Sequence, residues 1–164
     1  MVRNVLSIIL VIMLASSCKR DVEQQKVVSP DPTATDSLEL VKRADSLKKA
    51  GYSVFTYEEG GEQYLMQEYY MVQLLTGEND SLPKEEITRL QTEHLKHLSR
   101  MYEEGFASLI GPMNNGGEWR GIVVFNTPTL QMADSLANLD PYVKSGVMKV
   151  KTTGWWTAKE GKLR

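Results

Sequence analysis

The only two histidines of the 164-residue chain, His94 and His97, stand three residues apart in the stretch Leu90 to Met113. Histidine changes charge near neutral pH, so either ring is suited to moving a proton or ligating a metal. Spacing of three can bring two ligands to one helix face. A zinc centre wants a third and fourth ligand or an open position, yet no further histidine exists and no carboxylate can be assigned to the task. The single cysteine, Cys18, excludes an intramolecular disulfide and a cysteine-based metal site. No metal and no other cofactor is therefore expected. Arg120 stands in an otherwise apolar run, where it either holds the carboxylate of a ligand or marks a strand end in solvent. The chain has no Ser-His-Asp spacing, phosphate loop or dinucleotide fingerprint.

The histidines need a helix to position them, and the sequence supplies its punctuation. Pro83 suits a first turn, Ser81 is a candidate cap, and Glu85 and Glu86 suit the positive end of the dipole. Gly105 is placed to stop the helix, with Glu103 and Glu104 a mild conflict at its negative end. Ile87, Leu90, Leu95, Leu98, Met101 and Tyr102 recur at helical spacing and define an apolar face. At about 100° per residue, His94 falls near the middle of that face and His97 on its flank, closer to solvent.

Ahead of this core lies a segment that reads as an address. Val5 to Ala15 is an apolar run of signal-peptide length, and Leu14-Ala15-Ser16-Ser17-Cys18 resembles a bacterial lipobox. That resemblance implies that residues 1–17 are a lipoprotein signal, that Cys18 is lipidated, and that the protein is anchored to a membrane of the bacterial cell envelope. A plain secretory signal with an incidental cysteine is the alternative. Residues 18–35 are polar and proline-bearing, and read as a flexible tether. Asp36 to Ala50 reads as a helix capped by Asp36, with Glu39 completing a capping box and an apolar stripe of Leu38, Val41, Ala44 and Leu47 or Leu40. A short strand from Tyr52 to Tyr57 and a Gly60-Gly61 turn complete an N-terminal extension over 36–63.

From Tyr64 the pattern becomes regular. Tyr64 to Leu75 reads as a strand that is apolar on both faces, followed by the histidine helix and a strand from Phe106 to Ile110. Gly111-Pro112 ends that strand, and Asn114-Asn115-Gly116-Gly117 is a turn. Glu118 to Asn126 is a second strand apolar on both faces. Thr127-Pro128 opens a helix whose inner face is Leu130, Ala133, Leu136 and Ala137. Asp140-Pro141 ends it, and Asp140 caps a short turn to Gly146. Val147 to Thr153 reads as an edge strand with Lys149 and Lys151 facing out, closed by Trp155-Trp156 and a polar tail over 159–164.

Strand, helix, strand, strand, helix, strand is the ferredoxin-like βαββαβ order of an α+β fold. Its first and third strands lie at the centre of the sheet, and these are the two strands apolar on both faces. Helices cover one face only. A second copy is the simplest cover for the other, so a homodimer is expected, unless the N-terminal extension does the covering.

Several of these residues resemble the YCII-related domain: His94-Leu95, Glu104-Gly105, Gly111-Pro112-Met113, Arg120-Gly121-Ile122, Asp140-Pro141-Tyr142-Val143 and Gly146. The resemblance runs over about Tyr64 to Trp156, within a domain read as 64–158. It implies a ferredoxin-like dimeric α/β barrel and an active site built from His94 and Asp140. Gly154 departs from it, standing where a proline often precedes the closing aromatic. A histidine held by a carboxylate is a natural general base, because the carboxylate fixes its tautomer and steadies its charged form.

The formal net charge of −2 gives no reason to expect nucleic acid as a partner. Two classes of function remain open. One is an enzyme that transfers a proton or promotes elimination on a small organic molecule. The other is a non-catalytic, lipid-anchored binding or assembly module.

Overall fold

The computed structural model describes residues 32–114, 116–159 and 161. The signal segment, Cys18 and the tether up to residue 31 lie outside the described residues, as do residue 160 and residues 162–164 of the polar tail.

A long strand, β2 (Glu62–Thr76), is the axis of the fold. Along its second half it pairs antiparallel with β4 (Trp119–Phe125) on one side and with β5 (Met148–Ala158) on the other. β3 (Ala107–Pro112) pairs with the outer side of β4. The core order is thus β5-β2-β4-β3, the antiparallel sheet of a ferredoxin-like α+β fold. The first half of β2 pairs instead with β1 (Val54–Glu59) through the Gly60-Gly61 turn. Both glycines have positive φ, 64° and 81°, as a tight hairpin requires.

α2 (Lys84–Glu103) and α3 (Leu130–Asn138) cover one face of the sheet. Tyr70, Val72 and Leu74 of β2 and Val123 and Phe125 of β4 meet Met101, Ala133 and Ala137 there. α1 (Pro32–Lys49) packs elsewhere, with Leu40, Ala44 and Leu47 against Val54 and Leu65. β2 therefore changes its buried face midway. Leu65, Gln67 and Tyr69 are buried on one side, and Tyr70, Val72 and Leu74 on the other. Gln67 is fully buried at this switch; its amide donates to Asn126 Oδ1 at 2.6 Å, and its own Oε1 has no hydrogen-bond partner among the described residues.

Several local expectations shift. α1 begins at Pro32, so the last residues assigned to the tether are helical and Asp36 is not the cap. Proline is at home in the first helical position, which has no intrahelical acceptor for its nitrogen. Leu38 and Val41 of the expected stripe face solvent. Ser81 does not cap α2, since its hydroxyl donates to Asn79 Oδ1 at 3.3 Å and Pro83 occupies the cap position. Thr129, not Thr127, caps α3 by accepting from the Met132 amide at 3.2 Å, which leaves Leu130 in an exposed first turn. β5 continues past Thr153 because its pairing with β2 runs on through Gly154 to Ala158, and Gly154, unlike proline, keeps the amide that such a ladder uses. Trp155 and Trp156 are consecutive strand residues on opposite faces of the sheet rather than a closing pair.

Met101 is 1 % exposed and joins α2 to the sheet. Met101→Ala should lower unfolding stability by about 2–5 kcal/mol, the range for emptying such a site. Urea denaturation measures this, and a loss below about 1 kcal/mol would mean that the α2 layer repacks freely.

Candidate functional site

Four positions of α2 are buried, Leu90, His94, His97 and Met101. They follow the spacing i, i+4, i+7, i+11, a narrow stripe on a helix turning about 100° per residue. Leu95 and Tyr102 are exposed, 53 % and 61 %. Counting those two as inner positions rotates the apparent face away from His97. His97 is in fact as buried as His94, so the expectation that it lies closer to solvent is corrected. The structure brings over this flank the end of α3 and the segment α4 (Pro141–Lys144), which the helix pattern alone does not place.

Asp140 sits at the start of α4 with Pro141 in the first helical position. One carboxylate oxygen does the capping: Oδ1 accepts from the Tyr142 amide at 2.8 Å. The other, Oδ2, accepts from His94 Nδ1 at 2.6 Å. Asp140 is 1 % exposed, so both contacts lie away from water. A carboxylate oxygen only accepts, so in this contact His94 Nδ1 is the donor, which leaves Nε2 as the acceptor of the neutral ring. Tyr142 stacks on His94 with ring centroids 5.2 Å apart, and its hydroxyl donates to Ile87 O at 3.2 Å. Burial, and after it the Asp140 charge, push the Tyr142 phenol above its ordinary value, so it stays a donor.

The far end of α4 is tied to the sheet. Asn79 donates from Nδ2 to Ser145 O at 2.8 Å, and the Gly77 amide donates to Val147 O at 2.9 Å. Gly146, with φ 78°, makes the turn between α4 and β5.

His97 has a different environment. Its Nδ1 lies 3.2 Å from Arg100 Nη2, and because a guanidinium only donates, Nδ1 accepts. The ring also hydrogen-bonds the backbone of Leu136. Burial lowers the His97 pKa first of all; Asp140 pulls it up, Arg100 pushes it down, Leu136 raises it and His94 lowers it. The two histidines thus differ in partner, not in exposure.

His94 forms part of the wall of a cavity of about 410 Å³ between α2 and the sheet. Leu74, Leu98, Ile110 and Met148 make it apolar, and Gln91 and Arg120 supply its other polar side chains. Arg120 reaches it through an irregularity in the sheet. Leu74 pairs with Gly121 and Leu75 with Trp119, so the register skips Arg120. Strict alternation would have placed Arg120 with Ile122 and Val124 on the opposite face. Arg120, at the skipped position, is exposed to solvent and stands at the mouth of the cavity that His94 lines. Gly121, a glycine inside a strand, is the signal from which this bulge was readable. The Tyr142 stacking partner had no such signal beyond its place two residues after Asp140. Cys18 lies outside the described residues.

Asp140→Ala removes a cap and the partner of a buried ring, and should cost about 2–4 kcal/mol in urea unfolding. Asp140→Asn keeps a capping oxygen and should cost about half as much; equal losses would mean that the cap contributes nothing. His97 gives a pH dependence. Its folded pKa lies below the unfolded value, so the unfolded chain binds more protons in mild acid and stability rises with pH there. Stability should therefore fall as pH drops below about 6.5, and His97→Gln should flatten that slope. Identical pH profiles for the two proteins would contradict this account.

The YCII-related domain matches residues 64–155, from β2 to β5, which is more than half of the chain. None of the curated proteins matches it. The matched stretch contains His94, Asp140, Tyr142, Arg120 and the whole cavity wall, and leaves α1 and β1 outside. With its domain and its antiparallel βαββαβ sheet in agreement, this chain belongs to the YCII-related domain family.

Proposed function

We propose that the protein binds a small organic molecule in the cavity beside His94 and moves a proton on it. The 2.6 Å contact between two buried groups, His94 and Asp140, carries this reading. With Nδ1 committed to Asp140, Nε2 is the base: it takes a proton from substrate carbon or oxygen, and the bonding electrons pass into a neighbouring carbonyl or expel a leaving group. Asp140 holds the tautomer and steadies the imidazolium that forms, and returning the proton from Nε2 completes the cycle. Arg120 holds a carboxylate or enolate oxygen of the ligand through its fork of donors. The apolar wall keeps water from the ring and strengthens both interactions.

The same proposal places the protein at the bacterial cell envelope, exported by residues 1–17 and anchored through a lipid on Cys18. It also makes the protein a homodimer. Tyr69, Met71, Leu109, Ile122 and Trp155 line an open groove of about 760 Å³ on the sheet face away from α2 and α3, and α1 contributes Arg43 to its edge. A second copy offers the same apolar face and buries both. A non-catalytic, lipid-anchored binding or assembly module is the competing reading, favoured by the exposed aromatic residues that the N-terminal extension adds outside the matched domain.

A screen of small carboxylic acids and phenols for turnover tests the enzyme. His94→Ala and Asp140→Asn should each reduce turnover at least about 100-fold, the usual weight of a positioned base. Unchanged ligand binding and unchanged cellular phenotype in both variants would favour the module. Sedimentation should give a dimer for the parent protein and a monomer for Trp155→Glu, whose side chain is exposed in one protomer; a monomer for both would remove the dimer from the proposal.

A further inference from the structure

The end of the sheet built by β1, the first half of β2 and the end of β5 has two unlike faces. Val54 and Leu65 turn one face toward α1. The register puts Phe55 and Tyr57 of β1, Tyr64 and Met66 of β2, and Trp156 of β5 on the other. Phe55 and Trp156 lie with ring centroids 5.1 Å apart, Phe55 and Tyr57 6.4 Å, and Tyr57 and Tyr64 stack at 5.2 Å. The rings therefore form one continuous strip, yet Phe55 is 45 % exposed and Trp156 43 %. Exposed rings joined in one strip are the kind of apolar surface that marks an interaction site.

Charge defines the use. The same register puts Glu59 and Glu62 at the hairpin end of the strip and Glu68, opposite Trp156, at its inner end. Glu62 to Glu68 spans about 20 Å of strand, so carboxylates bracket the rings at the separation of an extended peptide of about six residues. Neither β1, nor β2, nor the stretch of β5 from Thr152 to Ala158 contains a lysine or arginine. Aromatic faces bounded by carboxylates are complementary to cations: guanidinium groups stack on rings and pair with carboxylates at once. A second copy is disfavoured, because both ends of the strip are acidic and any self-pairing sets carboxylate against carboxylate. An anionic lipid surface is repelled for the same reason.

We infer that this aromatic strip is a docking surface for an extended, arginine-bearing segment of a partner protein. Phe55 and Tyr57 lie before the matched YCII-related stretch and Tyr64 and Met66 within it, so the surface joins the N-terminal extension to the domain, and none of these residues lines the His94 cavity.

Titration of the full-length protein with oligoarginine and oligolysine of equal length, followed by isothermal calorimetry, tests the inference. Oligoarginine should bind more tightly than oligolysine, and both should weaken as salt is raised. Phe55→Ala combined with Trp156→Ala should weaken oligoarginine about tenfold, as should Glu59→Gln combined with Glu62→Gln. Val41→Ala, on the exposed side of α1, should leave the affinity unchanged. Equal affinity for the two peptides, or loss of binding only with the glutamate changes, would reduce the effect to bulk charge and overturn the inference. So would tighter binding to phosphatidylcholine vesicles than to oligoarginine, which would make the strip a membrane surface.

Discussion

A buried carboxylate must be paired, and the pairing of Asp140 governs the arrangement of the domain. Its two oxygens are divided between the Tyr142 amide and the His94 ring, groups on different elements of the chain. Satisfying both fixes α4 against α2 across a separation of 46 residues. The stacked Tyr142 ring and its bond to Ile87 O then leave the imidazole little freedom to turn. Preorganisation of this kind holds a base in one tautomer before any ligand arrives.

The sheet answers the same demand from below. β2 supplies the floor of the core, and the register of its pairing with β4 skips Arg120, which stands exposed at the mouth of the cavity. A local defect in one ladder thus assembles the polar corners of an apolar cavity. Gly121 beside it is held close, since a Cβ there would come within 3.2 Å of Gly111 O.

β2 also belongs to two layers at once. Its second half is core to α2 and α3, and its first half, lengthened into the hairpin, is core to α1. The consecutive buried residues Tyr69 and Tyr70 mark the change of face. This extension covers one end of the sheet and leaves aromatic rings on its outer side, so the added segment brings a surface of its own rather than more core.

The sequence by itself determined the element order, because periodicity, glycines and prolines are local signals: the doubly apolar β2 and β4, the stop at Gly105 and the cap at Asp140 all follow from neighbours in the chain. Local signals also misled where several residues competed, as with Ser81, Thr127 and Asp36 as caps, since any hydroxyl or carboxylate near a helix start fits the pattern. Only the tertiary structure decided that His97 is buried, that Trp155 and Trp156 part to opposite faces, and that Arg120 joins His94 at one cavity. Burial depends on what a second layer covers, and a bulge depends on the partner strand. Neither α4 over α2 nor β2 beside β4 is written in the residues that they position.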